Sequence, residues 1–229
     1  MLASPAVTPC SVRRLGLVDY QQAWDEQRRL VELCHGDGLA RLLLLEHPPT
    51  YTFGARGKQE HLLASERALA QLGAAVYRVD RGGDVTFHGP GQLVAYPMLD
   101  LRAWNQGPSW YVRSLEQTII DALASFGISA RREPGRPGVW VGAGKIAAIG
   151  VRVSRGVTSH GFALNVDPNL RFFSHIVPCG LPDISVTSMA QELERAPDMD
   201  VVMDAISDAF ARVFPVEMQE TPVAAAAAR

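Results

Sequence analysis

Lysine is nearly absent from this 229-residue sequence, in which only Lys58 and Lys145 stand among 22 basic residues and all the others are arginine. A compositional bias of the genome can by itself produce such a low ratio of lysine to arginine. Even so, only lysine offers a compact amine whose protonation a protein can adjust. Both lysines are therefore candidates for chemistry that an arginine could not perform.

The sequence also has few cysteines, a small net charge and no long apolar run. Three cysteines, an odd number, argue against a disulfide scaffold and favour a reducing compartment. The net charge of −2 argues against a protein that grips nucleic acid. The longest apolar run, 42–45, is too short to cross a bilayer, and Pro5 and Pro9 interrupt any signal-peptide pattern. We therefore expect a cytoplasmic protein that binds neither nucleic acid nor membrane. Nothing in the sequence demands more than a monomer, which is the state we expect.

The composition, 47% hydrophobic and 20% charged, is typical of one globular domain. We place that domain at 11–216 and expect flexible tails at 1–10 and 217–229. Segments of helical periodicity flank a central group of β-type runs. This order predicts an α+β (mixed α/β) fold with helices packed on a mixed, largely antiparallel sheet. The predicted helices are 20–34, 62–72, 108–126 and 201–214, and the predicted strands are 41–45, 75–79, 93–99, 139–141, 146–153 and 158–166.

The segment RGGDVTFHGPGQ, residues 81–92, holds four glycines and a proline directly after a predicted strand. Glycine lets the backbone approach a ligand closely, so this segment is a candidate binding loop. The alternative is a long hairpin loop in which His88 is satisfied by its neighbours. The segment matches neither the phosphate-binding P-loop nor the dinucleotide motif.

Two further segments could carry chemistry. In 138–153, Lys145 lies between a glycine-rich turn and a small apolar run, where an amine loses part of its hydration. The alternative is a lysine that snorkels at the start of an edge strand. In 159–166, His160 and Gly161 could form a wall of a narrow cleft or belong to a plain core strand.

Cys179 lies between Pro178 and Gly180 in a segment too rich in proline for a helix or a central strand. Such a loop can present a thiol nucleophile, whereas Cys34 fits a buried helix stripe and Cys10 lies in the expected tail. A reactive thiolate needs a base or cation, for which the available partners are Lys145, His88, His160 and His175. A zinc site is poorly supported because His175 and Cys179 have no second paired motif, and no serine-hydrolase elbow is present.

Several segments occur together in an order that resembles the octanoyltransferases of lipoate biosynthesis. They are RGGDVTFHGPGQLVAYPMLDL, GVWV followed by GKIAAIGVRVS, TSHGFALNV and PCGL, with HPPTYTFGARG upstream of them. The similarity extends over about 12–214. Each piece alone is weak, whereas the combination is specific.

The resemblance implies transfer of an octanoyl group from acyl carrier protein to a lysine of a lipoyl-accepting domain. The acceptors would be E2 subunits of 2-oxoacid dehydrogenases and the H protein of glycine cleavage. Cys179 would be the nucleophile that forms an acyl-thioester, and Lys145 would lower the pKa of that thiol and handle protons.

The resemblance also implies a catalytic domain like that of biotin/lipoate protein ligases. No metal, ATP or other cofactor would be needed. The implied acyl pocket comprises Arg81, Gly82, Gly83, Asp84, Val85, Thr86, Phe87, His88, Ala148, Ile149, Gly150, Gly161, Phe162 and Ala163.

Two other functions remain open at this point. An ATP-dependent lipoate or biotin ligase would share the fold but would need no nucleophilic cysteine. A non-catalytic carrier-binding module would need neither Cys179 nor Lys145. Because the carrier protein is acidic, basic residues are candidates for docking it, although they could equally form a solvated face. These candidates are Arg131, Arg132, Arg136, Arg152 and Arg155.

Overall fold

The computed structural model describes residues 7–177 and 185–220. The predicted nucleophile Cys179 therefore lies outside the described residues. So do residues 1–6 and 221–229, which include most of the predicted tails.

A mixed sheet forms the centre of the molecule. In the order in which the strands lie side by side, with residue ranges at the end of this paragraph, the sheet is β12-β1-β2-β6-β10-β9-β8-β7, and β11 pairs with β9. The pairs β12–β1, β1–β2 and β11–β9 are parallel, whereas the other pairs are antiparallel. The predicted fold class is confirmed. The strands are β1 (Thr8–Leu17), β2 (Ala40–Glu46), β6 (Gln92–Met98), β7 (Arg131–Glu133), β8 (Arg136–Val141), β9 (Gly144–Ser154), β10 (Val157–Asn165), β11 (Ser185–Val186) and β12 (Val216–Glu220).

Helices cover both faces of this sheet. Alternate residues of a strand point to opposite faces. On β2, Leu43 and Leu45 belong to the core beneath α1 (Tyr20–Asp37), whereas Leu42 and Leu44 belong to the core that includes α3 (Pro108–Ser125) and α5 (Met199–Val213). The sequence specifies where α1 and α3 begin. The side chain of Asp19 caps α1 by accepting from the N–H of Gln21, and Pro108 occupies the first turn of α3.

A second, three-stranded sheet has the order β4-β3-β5. It comprises β3 (Thr50–Phe53), β4 (Ala75–Arg78) and β5 (Val85–His88). Its own core contains Tyr51, Phe53, Phe87 and Ile176. Two short helices, α2 (Glu66–Gln71) and α4 (Met189–Glu192), and three 3-10 turns (Gln59–His61, Leu101–Trp104 and Leu170–His175) complete the described elements.

Two predictions need correction. The helix predicted at 62–72 begins only at Glu66, because Ser65 caps it and Leu62 instead forms a β-bridge with Ile176. Both predicted tails extend too far into the chain, since each includes residues that form a strand. Thr8 pairs with Val216 in the β1–β12 ladder, which continues to Glu220, and Cys10 is fully buried. This pairing joins segments about two hundred residues apart, so no local pattern could indicate it.

No helix within 7–177 and 185–220 combines the length and the apolar character needed to span a membrane.

Candidate active site

A cavity of about 660 Å³ opens where the central sheet meets the small sheet. Residues of β5, β6, β8, β9 and β10 line it, with Tyr20 from α1 and Val112 from α3. Lys145 and all the predicted pocket residues except Phe87 lie on its wall. The three glycine-containing segments selected from the sequence therefore meet at one place. Their binding roles stay predictions.

Phe87 is the exception. Along β5, its side chain packs into the core of the small sheet. Its ring stacks on that of Phe172 with 4.6 Å between the centroids and is tilted against that of Tyr51 at 5.3 Å. His88, the next residue, lines the cavity instead. The resemblance implies Phe87 for the pocket only because it lies within a matching motif. Its position in the small-sheet core makes it a support for the loop rather than part of the cavity wall.

Lys145 is buried at the end of the cavity formed by β8 and β9, with 8% of its surface exposed. Its Nζ donates to the carbonyl of Pro137 at 2.9 Å and lies 5.5 Å from the ring centroid of Trp140. Val186 pairs with Lys145 across β11–β9, and the N–H of Thr187 donates to the Lys145 carbonyl at 3.1 Å. The chain that follows the undescribed residues 178–184 is thus attached directly beside Lys145.

The chain that precedes this gap is also anchored. The N–H of Val177 donates to the carbonyl of His61 at 2.8 Å, and Ile176 bridges to Leu62. Cys179 is two residues beyond Val177 and six before Ser185. The described residues on both sides of Cys179 therefore belong to the framework around the cavity.

The loop before β5 crosses over β9. The N–H of Gly82 donates to the carbonyl of Val151 at 2.8 Å. Arg81 is buried, and its Nη2 donates to the carbonyls of Thr52 at 2.6 Å and Asp84 at 2.8 Å. Both acceptors are neutral carbonyl groups, and they fix the Arg81 guanidinium in the cavity wall.

Three buried histidines are in their neutral forms, and two of them, His88 and His160, line the cavity. Burial lowers the pKa of His47 to about 4. Burial, with the positive charges of neighbouring groups, lowers the pKa values of His88 and His160 to about 3. His160 lies 2.7 Å from Asp80 through Nε2, and among the described residues nothing contacts its Nδ1 by hydrogen bonding. A carboxylate only accepts, so Nε2 carries the proton and Nδ1 presents a lone pair.

His88 begins a chain of hydrogen bonds that ends beside Lys145. Its Nδ1 is 2.8 Å from Oε1 of Gln92, whose Nε2 donates to Asn165 Oδ1 at 2.9 Å. Asn165 in turn donates to the carbonyl of Thr187 at 2.9 Å. Because Gln92 offers its oxygen, His88 donates from Nδ1 and keeps a lone pair on Nε2.

Tyr20 and Tyr96 line the cavity, although the sequence does not mark either of them as a site residue. Tyr20, His47 and Tyr96 form an aromatic and imidazole cluster with His88, and the Tyr96 hydroxyl lies 2.8 Å from His47 Nε2. His47 and Tyr96 lie within the segments HPPTYTFGARG and RGGDVTFHGPGQLVAYPMLDL, but nothing local in the sequence indicates that they meet Tyr20. His175, one of the candidate partners of the Cys179 thiol, contacts the Tyr51 hydroxyl through Nδ1 at 2.9 Å, and its role toward the thiol stays a prediction. Among residues 7–177 and 185–220, no group of three or more His, Cys, Asp or Glu could hold a metal ion.

Comparison with solved structures shows the fold. A lipoate-protein ligase A crystallised with ATP superposes with a TM-score of 0.74 at 15% identity, over 96% of this chain and 90% of that one. A bi-partite lipoate protein ligase from Thermoplasma acidophilum gives the same TM-score and identity over 96% and 88%. A biotin protein ligase from Aquifex aeolicus superposes less well, with a TM-score of 0.54 at 14% identity over 89% and 69%.

Comparison with curated sequences is more specific. The family model "Lipoyl protein ligase A/B catalytic domain" matches residues 19–211. An "Octanoyltransferase" from Solibacter usitatus is 52% identical over 91% of this chain and 94% of its own length. Another, from Gloeobacter violaceus, is 48% identical over 92% of each chain. The chain therefore belongs to the lipoyl protein ligase A/B catalytic domain family, and within it to the octanoyltransferases.

Proposed function

We propose that this protein moves an octanoyl group from a thioester on acyl carrier protein to the amine of a lysine on a lipoyl domain. The acceptors are lipoyl domains of 2-oxoacid dehydrogenase E2 subunits and the glycine cleavage H protein. The observation that carries the proposal is the position of Lys145, buried at one end of the cavity and paired with the strand that follows the Cys179 segment. The family relationship supports the same reaction.

The proposed transfer has two steps. The Cys179 thiolate attacks the thioester carbonyl, the carbon–sulfur bond to the carrier breaks, and the carrier thiolate leaves with a proton from Lys145. The acceptor amine then attacks the acyl-cysteine, and the Cys179 thiolate departs. The proton lost by that amine passes to Lys145 or to water. One difficult transfer thereby becomes two easier ones.

The walls of the cavity suit an acyl chain. Ala148, Ile149, Phe162 and Ala163 present apolar surface on β9 and β10, and Val94 adds to it from β6. Each buried methylene contributes about 0.8 kcal/mol. An octanoyl chain therefore gains several kcal/mol on entering, enough to favour it over much shorter chains.

A thioester is already activated, so we propose that the enzyme needs neither ATP nor another cofactor. The ATP-dependent ligase alternative predicts product from octanoate and ATP. We expect none, and formation of octanoylated acceptor from those reagents would favour the ligase. Because the reaction needs a reduced thiol, we place the enzyme in the cytoplasm. We also propose that it acts as a monomer.

The basic candidates for carrier docking are not equivalent. Arg132 donates to the buried Glu116 at 3.1 Å, and Arg155 lies 2.8 Å from Glu32. Arg131 contacts Glu133, and Arg152 contacts Asp80. Arg136 is exposed and lines the cavity, so it is the candidate that we retain for contact with the acidic carrier.

Intact mass spectrometry after brief mixing with octanoyl carrier protein tests the mechanism. We expect one added octanoyl group on the wild type, lost when an acceptor domain is supplied, and none on Cys179→Ser. Cys34→Ser is the matched control, because Cys34 is a buried thiol on α1 that does not line the cavity. Transfer without any adduct would mean direct attack by the acceptor and would contradict a role for Cys179 as nucleophile.

A further inference from the structure

One peptide group connects Lys145 to a carboxylate on a different element. The carbonyl of Pro137 accepts from Lys145 Nζ at 2.9 Å. The N–H of Gly138, on the other side of the same peptide bond, donates to Glu116 Oε1 at 3.1 Å. A peptide group is planar and rigid, so the contact that holds its N–H also sets the direction of its carbonyl.

Glu116 is itself held firmly. It lies on α3 with 6% of its surface exposed, and its second oxygen accepts from Arg132 Nε at 3.1 Å. Arg132 also donates to Gln117 Oε1 at 2.8 Å and to the carbonyl of Arg113 at 3.0 Å. A buried carboxylate is costly unless its oxygens are occupied, and here both are. The carboxylate is therefore fixed relative to β7 and β8.

Gly138 brings the backbone close to the lysine side chain. Its φ is +126°, and a Cβ at this position would lie 2.5 Å from Lys145 Cε and 2.6 Å from the carbonyl of Ala147. A side chain at 138 would therefore displace Lys145. The lysine packs directly against the peptide group that Glu116 holds.

We propose that Glu116 is a positioning residue for Lys145, which it orients and keeps protonated through the Pro137–Gly138 peptide group. This inference rests on the proposed function, in which Lys145 handles protons. Glu116 does not line the cavity, so it acts on the reaction only through the peptide and the lysine.

The physical basis is polarisation together with charge. A carboxylate that accepts a peptide N–H makes the carbonyl of the same group a stronger acceptor. The attraction between the negative Glu116 and the ammonium of Lys145 adds to this effect. Most of the other charged groups on the described cavity wall are positive and therefore disfavour the ammonium form of Lys145. Asp84 is the one carboxylate among the described lining residues. Besides Lys145 itself, the other charged or titratable groups among the described lining residues are Tyr20, Arg56, Lys58, His61, Arg81, His88, Tyr96, Arg136 and His160.

The scarcity of lysine makes a direct test possible. Protein grown on [6-¹³C]lysine carries two lysine signals, from Lys58 and Lys145, and Lys58→Arg assigns them. We expect Glu116→Gln to lower the titration midpoint of the Lys145 signal by about 0.5 to 1 pH unit, less than for a carboxylate in direct contact. The Lys58 signal is the internal control and keeps its midpoint.

Arg132→Gln is the opposing variant. It leaves the Glu116 charge without its guanidinium partner, so we expect the Lys145 midpoint to rise. This variant changes a partly exposed side chain and keeps the test available if Glu116→Gln does not fold. A Lys145 midpoint equal to that of the wild type in a folded variant would overturn the inference.

The pH dependence of acyl-enzyme formation supplies the functional readout. We expect Glu116→Gln to move the alkaline limb of the rate to lower pH, in step with the lysine signal. A purely structural role would reduce the rate equally at every pH and would contradict the inference. The titration needs no substrate, so it still decides the role of Glu116 if the wild type forms no octanoyl adduct and the proposed function fails.

Discussion

Gly150 and Gly161 lie directly opposite each other in the antiparallel β9–β10 pair, on the wall of the cavity. A Cβ at Gly161 would lie 2.0 Å from the carbonyl oxygen of Ala95 on the neighbouring strand. The backbones of β6 and β10 therefore approach more closely here than any side chain permits. This approach makes the position a sensitive test of the sheet geometry.

We expect Gly161→Ala to lower the free energy of unfolding by about 2 to 4 kcal/mol, because backbone atoms must shift to admit the methyl group. Urea denaturation measures the loss. Gly36→Ala is the matched control. Gly36 lies within α1, nothing lies near its would-be Cβ, and alanine favours helix by up to about 1 kcal/mol. Equal stability of Gly161→Ala and the wild type would contradict the close approach of the strands.

Substitutions at Phe87 and at the cavity wall separate an effect on packing from an effect on substrate binding. We expect Phe87→Leu to cost about 1 to 2 kcal/mol of stability, since it leaves a gap beside Tyr51 and Phe172. It should leave KM for the octanoyl thioester nearly unchanged, because the side chain faces away from the cavity. Ile149→Ala, on the cavity wall, should raise that KM. Steady-state kinetics and thermal melts distinguish the two, and a raised KM for Phe87→Leu would restore Phe87 to the pocket.

The buried histidines predict a loss of stability in acid. A histidine in the unfolded chain titrates near 6.5, whereas His47 does so at about 4 and His88 and His160 at about 3 when folded. Between these values the unfolded chain binds more protons than the folded one, so the free energy of unfolding falls as pH decreases below 6.5. Each histidine contributes a slope of about 1.4 kcal/mol per pH unit at most.

Urea denaturation at several values between pH 7.5 and 4.5 measures this slope. His160→Gln keeps a donor for Asp80 but removes one titrating group, so we expect a shallower slope from that variant. Between pH 7.5 and 7 the two proteins should show little dependence on pH. A wild-type stability that stays flat down to pH 4.5 would contradict the neutral buried state of these histidines.

The glycine-rich segments and Lys145 could be found from the sequence because their unusual features are local. Four glycines after a strand, or a lysine in a chain that otherwise uses arginine, are visible without a fold. Glu116 could not be found in this way. It is an ordinary charged residue on a helix, 22 positions before Gly138, and its importance comes from a contact between α3 and β8. The parallel pairing of β1 with β12 and the contact of His47 with Tyr96 join residues that are still farther apart in the sequence.

Substitution of Lys145 by arginine tests whether the site needs an amine rather than a positive charge. Arginine stays protonated, and its planar guanidinium is larger than the amine of Lys145, which lies between Trp140 and the Gly138 backbone. We expect Lys145→Arg to reduce the rate of acyl-enzyme formation at least about 100-fold, the usual effect of losing a general acid or base. Lys58→Arg is the matched control, because Lys58 is exposed at the rim of the cavity, and its rate should change less than about twofold. Rapid-quench mixing with octanoyl carrier protein gives both rates. If Lys145→Arg formed the adduct as fast as Lys58→Arg, positive charge alone would suffice at this position, and proton transfer would have to be assigned to another group.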